Sequence, residues 1–213
     1  MNGYRTIRET DDSVETLYEI QKSRFITHIR HVETEEEARA FIQAMKKQYF
    51  DARHNCSAYV LGERADKQKS NDDGEPGGTA GNPILEAIKK NALTDVVIVV
   101  TRYFGGIKLG AGGLTRAYSG ALSDAVKAAP IVTYTPYARY TVTLPYTAVG
   151  GFENYIKDKD IRVLDRAFTA EVQVTFLTLP EEAKTHLKFL TDLTGGKAVI
   201  EEDGEEYVKV RVW

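Results

Sequence analysis

This 213-residue sequence predicts an α+β fold in two small domains, and three observations lead there. The run of Val and Ile from Asp95 to Arg102 shows no polar alternation, the mark of a strand buried on both faces. Two stretches, Thr34 to Phe50 and Leu114 to Ala129, repeat apolar residues at helical spacing. Beyond Pro136 the patterns read strand, helix, strand, strand, helix, strand. That order fits a ferredoxin-like unit, a helix pair on one face of an antiparallel sheet. The boundary is placed at Pro136, giving domains over residues 1–136 and 137–213.

Taken in order, Leu17 to Ile20 and Arg24 to Val32 form a predicted strand pair around the turn QKSR. Thr34 followed by Glu37 is a capping box, and Ala38, Phe41, Ile42, Met45 and Tyr49 share one helical stripe behind it. Ala58 to Gly62 reads as a strand and Glu63 to Ser70 as a polar loop. Asn82–Pro83 reads as a helix start, Asn as N-cap and Pro in the first turn, with Ile84, Leu85, Ile88 and Ala92 as the apolar face. After a glycine-rich stretch, Leu114, Ala117, Tyr118, Ala121, Leu122, Ala125, Val126 and Ala129 recur as an amphipathic helix that Pro130 ends. The second domain follows as strand 138–144, helix 147–157, strands 162–167 and 171–177, helix 180–193, and a last strand. In that last strand Val208, Val210 and Val212 alternate with Tyr207, Lys209, Arg211 and Trp213.

Composition excludes several classes. The apolar fraction of 42% supplies a core, and the single cysteine, Cys56, cannot make an internal disulfide. The start, MNGYRTIRETDD, is polar and unlike a signal peptide, and the longest strongly apolar run is Val96 to Val100. A cytoplasmic protein without membrane partners is the expectation. Net charge is −3, so any nucleic-acid contact has to come from a local patch, and no DNA specificity is expected.

The local signal is the segment TRYFGGIKLGAGGLTRAY, Thr101 to Tyr118, together with NDDGEPGGTAGNPI, Asn71 to Ile84. Glycine lets a ligand or another backbone come close, and a glycine run entering a helix leaves N–H groups free at the positive end of the dipole. Two such places occur: Gly77 and Gly78 ahead of the helix at Ile84, and Gly110, Gly112 and Gly113 ahead of a helix expected near Ala117. Arg102 at the strand end, Lys108 in the loop and Arg116 in the first helical turn can ring one phosphate or carboxylate. Neither glycine loop matches a P-loop or a spaced GxGxxG. Asp72, Asp73 and Glu75 offer oxygen ligands for Mg²⁺, although Asp73–Gly74 is also a standard turn pair; no other cofactor is expected. His54 and Cys56 alternate into a strand, so both can face one side, with a structural role favoured over a Cys–His nucleophile. His28, His31 and His186 show no partner at the level of sequence.

The stretches DDGEPGGTAGNPIL and VVIVVTRYFGGIKLGAGGLTRAYSGAL, with RHNCSAYVLG upstream, resemble the signature of the IMPACT family over about Tyr18 to Ala129. The two-domain length is similar to the family's bacterial branch. The resemblance implies a first domain of the left-handed βαβ type, shared with a ribosomal small-subunit protein, elongation factor G domain IV and the GHMP kinases. For the second domain it implies a ferredoxin-like fold similar to elongation factor G domain V. Eukaryotic members regulate translation through an extra N-terminal domain that this chain lacks, so their partner competition is not carried over. No established catalytic residue comes with the family.

The resulting expectation is a non-catalytic binding module that contacts RNA, the ribosome or a translation factor, with a role in translation regulation. Arg102, Lys108 and Arg116 would meet phosphates, and Tyr103 or Phe104 would stack on a base. Two alternatives stand beside it: an enzyme for a small phosphorylated or carboxylated ligand, and a protein-interaction scaffold.

Overall fold

The computed structural model describes residues 3–10 and 12–211. Contacts divide them into a first unit over Tyr4–Tyr134 and a second over Thr135–Lys209. Both mix helices with antiparallel sheet, so the α+β class holds.

In the first unit, β1 (Tyr4–Ile7) pairs with Ile131 to Tyr134, the opening residues of β7 (Ile131–Leu144). The main sheet orders β2 (Val14–Ile20), β3 (Ser23–His31), β6 (Val96–Tyr103), β4 (His54–Leu61) and β5 (Lys67–Asn71), every neighbouring pair antiparallel. Since β3 and β4 both oppose β6 between them, they run parallel to each other. The helix α1 (Glu35–Gln48) makes the crossover, a split βαβ unit.

The strand β6 is central, and Val96 to Val100 are fully buried. Its residues divide by parity. Val97 and Val99 meet Ala38, Phe41 and Met45 of α1 on one face. Val96, Ile98 and Val100 face a core shared with α2 (Gly81–Lys90) and α3 (Gly110–Ala128). Burial on both faces explains why its sequence lacks alternation. The Thr34–Glu37 capping box forms as expected, with the Glu37 amide donating to Thr34 Oγ1 at 3.2 Å.

Several local expectations are corrected. The polar stretch 63–70 is not all loop: Lys67–Asn71 pairs with β4 as an edge strand, where one-sided pairing and lysines are tolerated. Asn82 is not the N-cap of α2. Ala80 holds that position without a side-chain cap, and Ala92 sits exposed beyond the helix at φ 53°. The helix α3 begins at Gly110, about two turns before Ala117, so Gly110, Gly112 and Gly113 lie inside the first turn and Arg116 in the second.

In the second unit, α4 (Tyr146–Ile156), β8 (Ile161–Phe168), β9 (Val172–Thr178), α5 (Pro180–Leu193) and β10 (Val199–Arg211) follow β7. The sheet order β10–β7–β9–β8 is the ferredoxin-like arrangement. Alternate residues Ala138, Tyr140, Val142 and Leu144 of β7 pack with Val172, Val174, Phe176, Phe152 and Leu190. Pro136 interrupts nothing, because the TYTPYA stretch is part of β7. In β10, Val208 and Val210 are half-buried and Lys209 exposed, but Tyr207 is half-buried too. Val212 and Trp213 of the expected alternation lie outside the described residues. Among the described residues no helix is long and apolar enough to cross a membrane.

Candidate functional site

The antiparallel register of β4 against β6 sets His54 opposite Arg102 at the sheet end where both strands meet the glycine loops. The loop after β6 must pass close under the β2–β3 turn. A Cβ on Gly105 would stand 2.0 Å from the Lys22 carbonyl carbon, and its amide donates to Ser23 Oγ at 3.1 Å. This is the clearest reason for a glycine in the segment: backbone lies where a side chain would be. Gly106 and Gly110 add positive φ angles of 88° and 67°. Phe104, Ile107 and Lys108 are left exposed on the loop.

Behind the loop lies a buried polar chain. Arg102, 7% exposed, donates from Nη1 to Glu75 Oε1 at 2.8 Å, and Tyr118 OH donates to the same oxygen at 2.9 Å. Cys56 Sγ donates to the Asp72 carbonyl at 3.0 Å and lies 3.2 Å from Tyr118 OH. Burial, with the Glu75, Asp73 and Asp72 carboxylates nearby, pushes the Cys56 thiol up to about 12 despite the Tyr118 contact. Burial, then Cys56 and Glu75, likewise raises the Tyr118 phenol. A thiol held this way stays protonated and is a poor nucleophile.

The three candidate metal carboxylates are spread over different tasks. Asp72 folds back on its own loop, accepting the amides of Gly78 at 2.8 Å, Ala80 at 3.0 Å and Gly81 at 2.8 Å. It thereby caps α2 from a distance. Burial alone would raise its pKa, and the three amides bring it below the ordinary value. Asp73 takes the Asn55 amide at 2.7 Å and the Lys46 ammonium, and Glu75 takes Arg102 and Tyr118. Among the described residues, the trio of metal-capable side chains with converging ligand atoms is a different one, Glu9, His31 and Glu33.

In front of Arg102 opens a cleft of about 580 Å³, lined among others by Arg53, His54, Phe104, Lys108, Gly110 and Ala111. The first turn of α3 faces it with no side-chain cap on Leu109 and no acidic residue. Among the described residues Arg102 Nε has no hydrogen-bond partner, and the guanidinium lies 5.6 Å from the Phe25 ring centroid and 5.8 Å from that of Phe104. Asp51 and Glu75 also line the cleft; Glu75 is paired with Arg102, and Asp51 accepts Tyr103 OH at 2.7 Å. His54 Nδ1 donates to the Asp73 carbonyl at 2.9 Å, which leaves Nε2 for any further contact.

Of the expected anion-binding set, Arg102, Lys108 and Gly110 line this cleft. Arg116 is exposed on α3 and does not, nor do Gly112 and Gly113, although both belong to the turn whose amides start the helix. Gly77 and Gly78 belong to the other loop, where the Gly78 amide is taken by Asp72. Arg102 is not a free cation, because Glu75 already holds it. Nothing in the sequence marks Arg53, and His54 reads there only as the neighbour of Cys56; strand pairing brings both to this cleft. The histidines thought to lack partners have them: His28 bonds Tyr49 OH at 3.0 Å and His186 bonds Tyr155 OH at 2.8 Å.

The Impact N-terminal domain family matches residues 21–126, and a domain of unknown function, DUF1949, matches 142–197. The IMPACT family member YvyE of Bacillus subtilis is 43% identical over the whole of this chain and 96% of its own length. YigZ of Escherichia coli is 38% identical over 75% of this chain and 79% of its own. A crystal structure of a hypothetical protein aligns with 94% of this chain and 97% of its own at a TM-score of 0.59 and 31% identity. Identity of this level over the whole of this chain and nearly the whole of a relative's means that the chain belongs to the IMPACT family.

Proposed function

We propose that this chain is a non-catalytic binding module of the translation apparatus, and that the cleft at the start of α3 takes RNA phosphate. The observation that carries the reading is the uncapped, carboxylate-free first turn of α3 opening into a cleft also lined by Arg53, Arg102 and Lys108. Free amides and the helix dipole favour an anion there. Phe104, 53% exposed at the rim, supplies a face on which an unpaired base can stack. Arg102, neutralised by Glu75, contributes a wall, while Lys108 and Arg53 make the direct contacts. Phosphates recognised this way give affinity without base identity, so RNA sequence and DNA sequence are not read. Family membership supports the setting, since eukaryotic IMPACT proteins regulate translation. The unreactive Cys56 thiol and the engaged carboxylates favour binding over chemistry.

The cleft volume also falls in the range of small-molecule sites, so a small phosphorylated ligand is the second reading. Binding of single-stranded RNA and of ribosomes, measured between about 50 and 200 mM salt, separates them. The expected result is steep salt dependence, with Lys108→Ala lowering the slope by about 0.7 for the lost phosphate contact. Phe104→Ala should weaken RNA binding at all salt concentrations. Affinity that is flat with salt, or unchanged in Lys108→Ala and Arg53→Ala, would sink the RNA reading. Heat on titration with ATP or GTP, without RNA binding, would favour the small ligand; capture of a translation factor alone would favour a protein partner.

A further inference from the structure

Away from the cleft, the segment after β1, the end of β3 and the loop entering α1 bring Glu9, His31 and Glu33 together. Each offers one ligand atom, and these atoms all lie within 4.8 Å of one another. They line a surface hollow of about 420 Å³ with Thr10, Arg30 and Glu37. Glu37 is spent on the amides of Glu33 and Thr34, and the Arg30 guanidinium lies 5.6 Å from the Phe41 ring centroid.

The tautomer of His31 follows from its buried neighbour. Thr6 Oγ1 lies 3.1 Å from the Asp95 carbonyl oxygen and 3.0 Å from His31 Nδ1. A carbonyl oxygen can only accept, so the single hydroxyl proton goes to Asp95. Thr6 must then accept from Nδ1–H. That leaves Nε2 facing the carboxylates, 3.4 Å from Glu33 Oε1, where a bare lone pair would meet negative charge unless a proton or a metal ion stands between. A cation between them removes the conflict. A hydrogen bond from one ring nitrogen, with the other turned to a metal, is the usual posture of a ligating histidine.

Distance argues in the same direction. His31 Nε2 stands 3.4 Å from Glu33 Oε1. A charge-assisted N–H···O bond would be about 2.7–2.9 Å. Ligands at about 2.0–2.1 Å in a tetrahedral shell stand about 3.3–3.4 Å apart, which is the His31–Glu33 spacing, and Glu9 lies within 4.8 Å of both. We propose that Glu9, His31 and Glu33 form a binding site for a divalent transition-metal ion of the zinc type. Three protein ligands leave the fourth position to water. One imidazole with two carboxylates suits Zn²⁺ better than Mg²⁺, which prefers oxygen ligands and octahedral geometry. Bound there, the ion ties the segment after β1 to β3 and to the entry of α1.

The test is titration of the full chain with Zn²⁺ by calorimetry and with Co²⁺ by visible absorption, with Mg²⁺ as competitor. One Zn²⁺ per chain and the intense d–d bands of a tetrahedral Co²⁺ site are expected, insensitive to Mg²⁺. Glu9→Gln and Glu33→Gln, both at exposed positions that leave the core untouched, should each abolish them. Thr6→Val keeps the side-chain shape and should weaken Zn²⁺ binding about 10–100-fold, the usual loss when an outer partner of a ligating histidine is removed. Failure of the wild-type chain to take up Zn²⁺, or uptake unchanged in both glutamine variants with circular dichroism intact, overturns the proposal.

Discussion

Glu75 is the residue on which the site turns. It sits behind the cleft with both donors, Arg102 and Tyr118, on one oxygen. In water this ion pair would be worth little. Here removal of one partner strands a buried charge, which costs about 3–5 kcal/mol. Glu75→Gln should therefore lower stability by that order in urea unfolding, and Arg102→Ala by a similar amount. The double variant Glu75→Met/Arg102→Met should be less destabilised than either single variant, because no charge is left unpaired. If the singles are silent, the pair does not organise the loops. This also fixes how binding is to be tested: loss of binding in Arg102→Ala would mix unfolding with lost contact, whereas Lys108 and Arg53 report contact alone.

At the scale of elements, α2 depends on a cap that its own first residues do not supply. Asp72 reaches from the loop before the helix to three amides that would otherwise point at nothing. Asp72→Ala should destabilise the chain by about 2 kcal/mol at neutral pH, the upper end for a lost N-cap. The sign with pH follows from its lowered pKa. Its contribution is fully present above the unfolded carboxylate pKa and is lost as pH falls through the lower folded value. Denaturation midpoints of wild type and Asp72→Ala should therefore converge in acid below that value. Parallel curves down to the lowest pH would show that the amide bonds are not what holds Asp72 ionised. Close approach explains two of the glycines: Gly81, at the start of α2, packs against the Asn71 backbone at the end of β5, and Gly105 packs against the Lys22 backbone.

At the scale of the molecule, each unit closes its own core. The second core draws on Ala138, Val142, Phe152, Val174, Phe176 and Leu190, all from 138 onward. A chain of residues 135–213 should accordingly fold alone and unfold in one cooperative urea transition, followed by circular dichroism. A non-cooperative profile would mean that the small core needs the rest of the chain, a real risk at this length. Net charge of −3 over the whole chain keeps polyanion attraction local, so the salt response expected for RNA belongs to the α3 cleft and not to the overall field.

Much of this was legible in residue order. Uniform apolarity marked β6 as central, Thr34 and Glu37 marked the start of α1, and the βαββαβ order gave the ferredoxin-like unit, because these signals depend on neighbours in sequence. The glycine segments also mark the end of the sheet where the cleft opens, with Lys108 and Gly110 among its lining. What they could not carry is charge pairing across the chain. Arg102 and Glu75 are 27 residues apart, and Thr101 and Asn55 are 46 apart, so the free cation of the sequence became a neutralised wall. The edge strand β5 was unreadable because its polar residues need only a partner on one side, and Asp72 was taken for a possible metal ligand because its amides come from a fold-back. The sequence by itself determined the main helices, the central strand, the ferredoxin-like order and the family, all set by local periodicity and motif. Only the tertiary structure decided which charges meet, since burial and register choose partners that spacing along the chain does not encode.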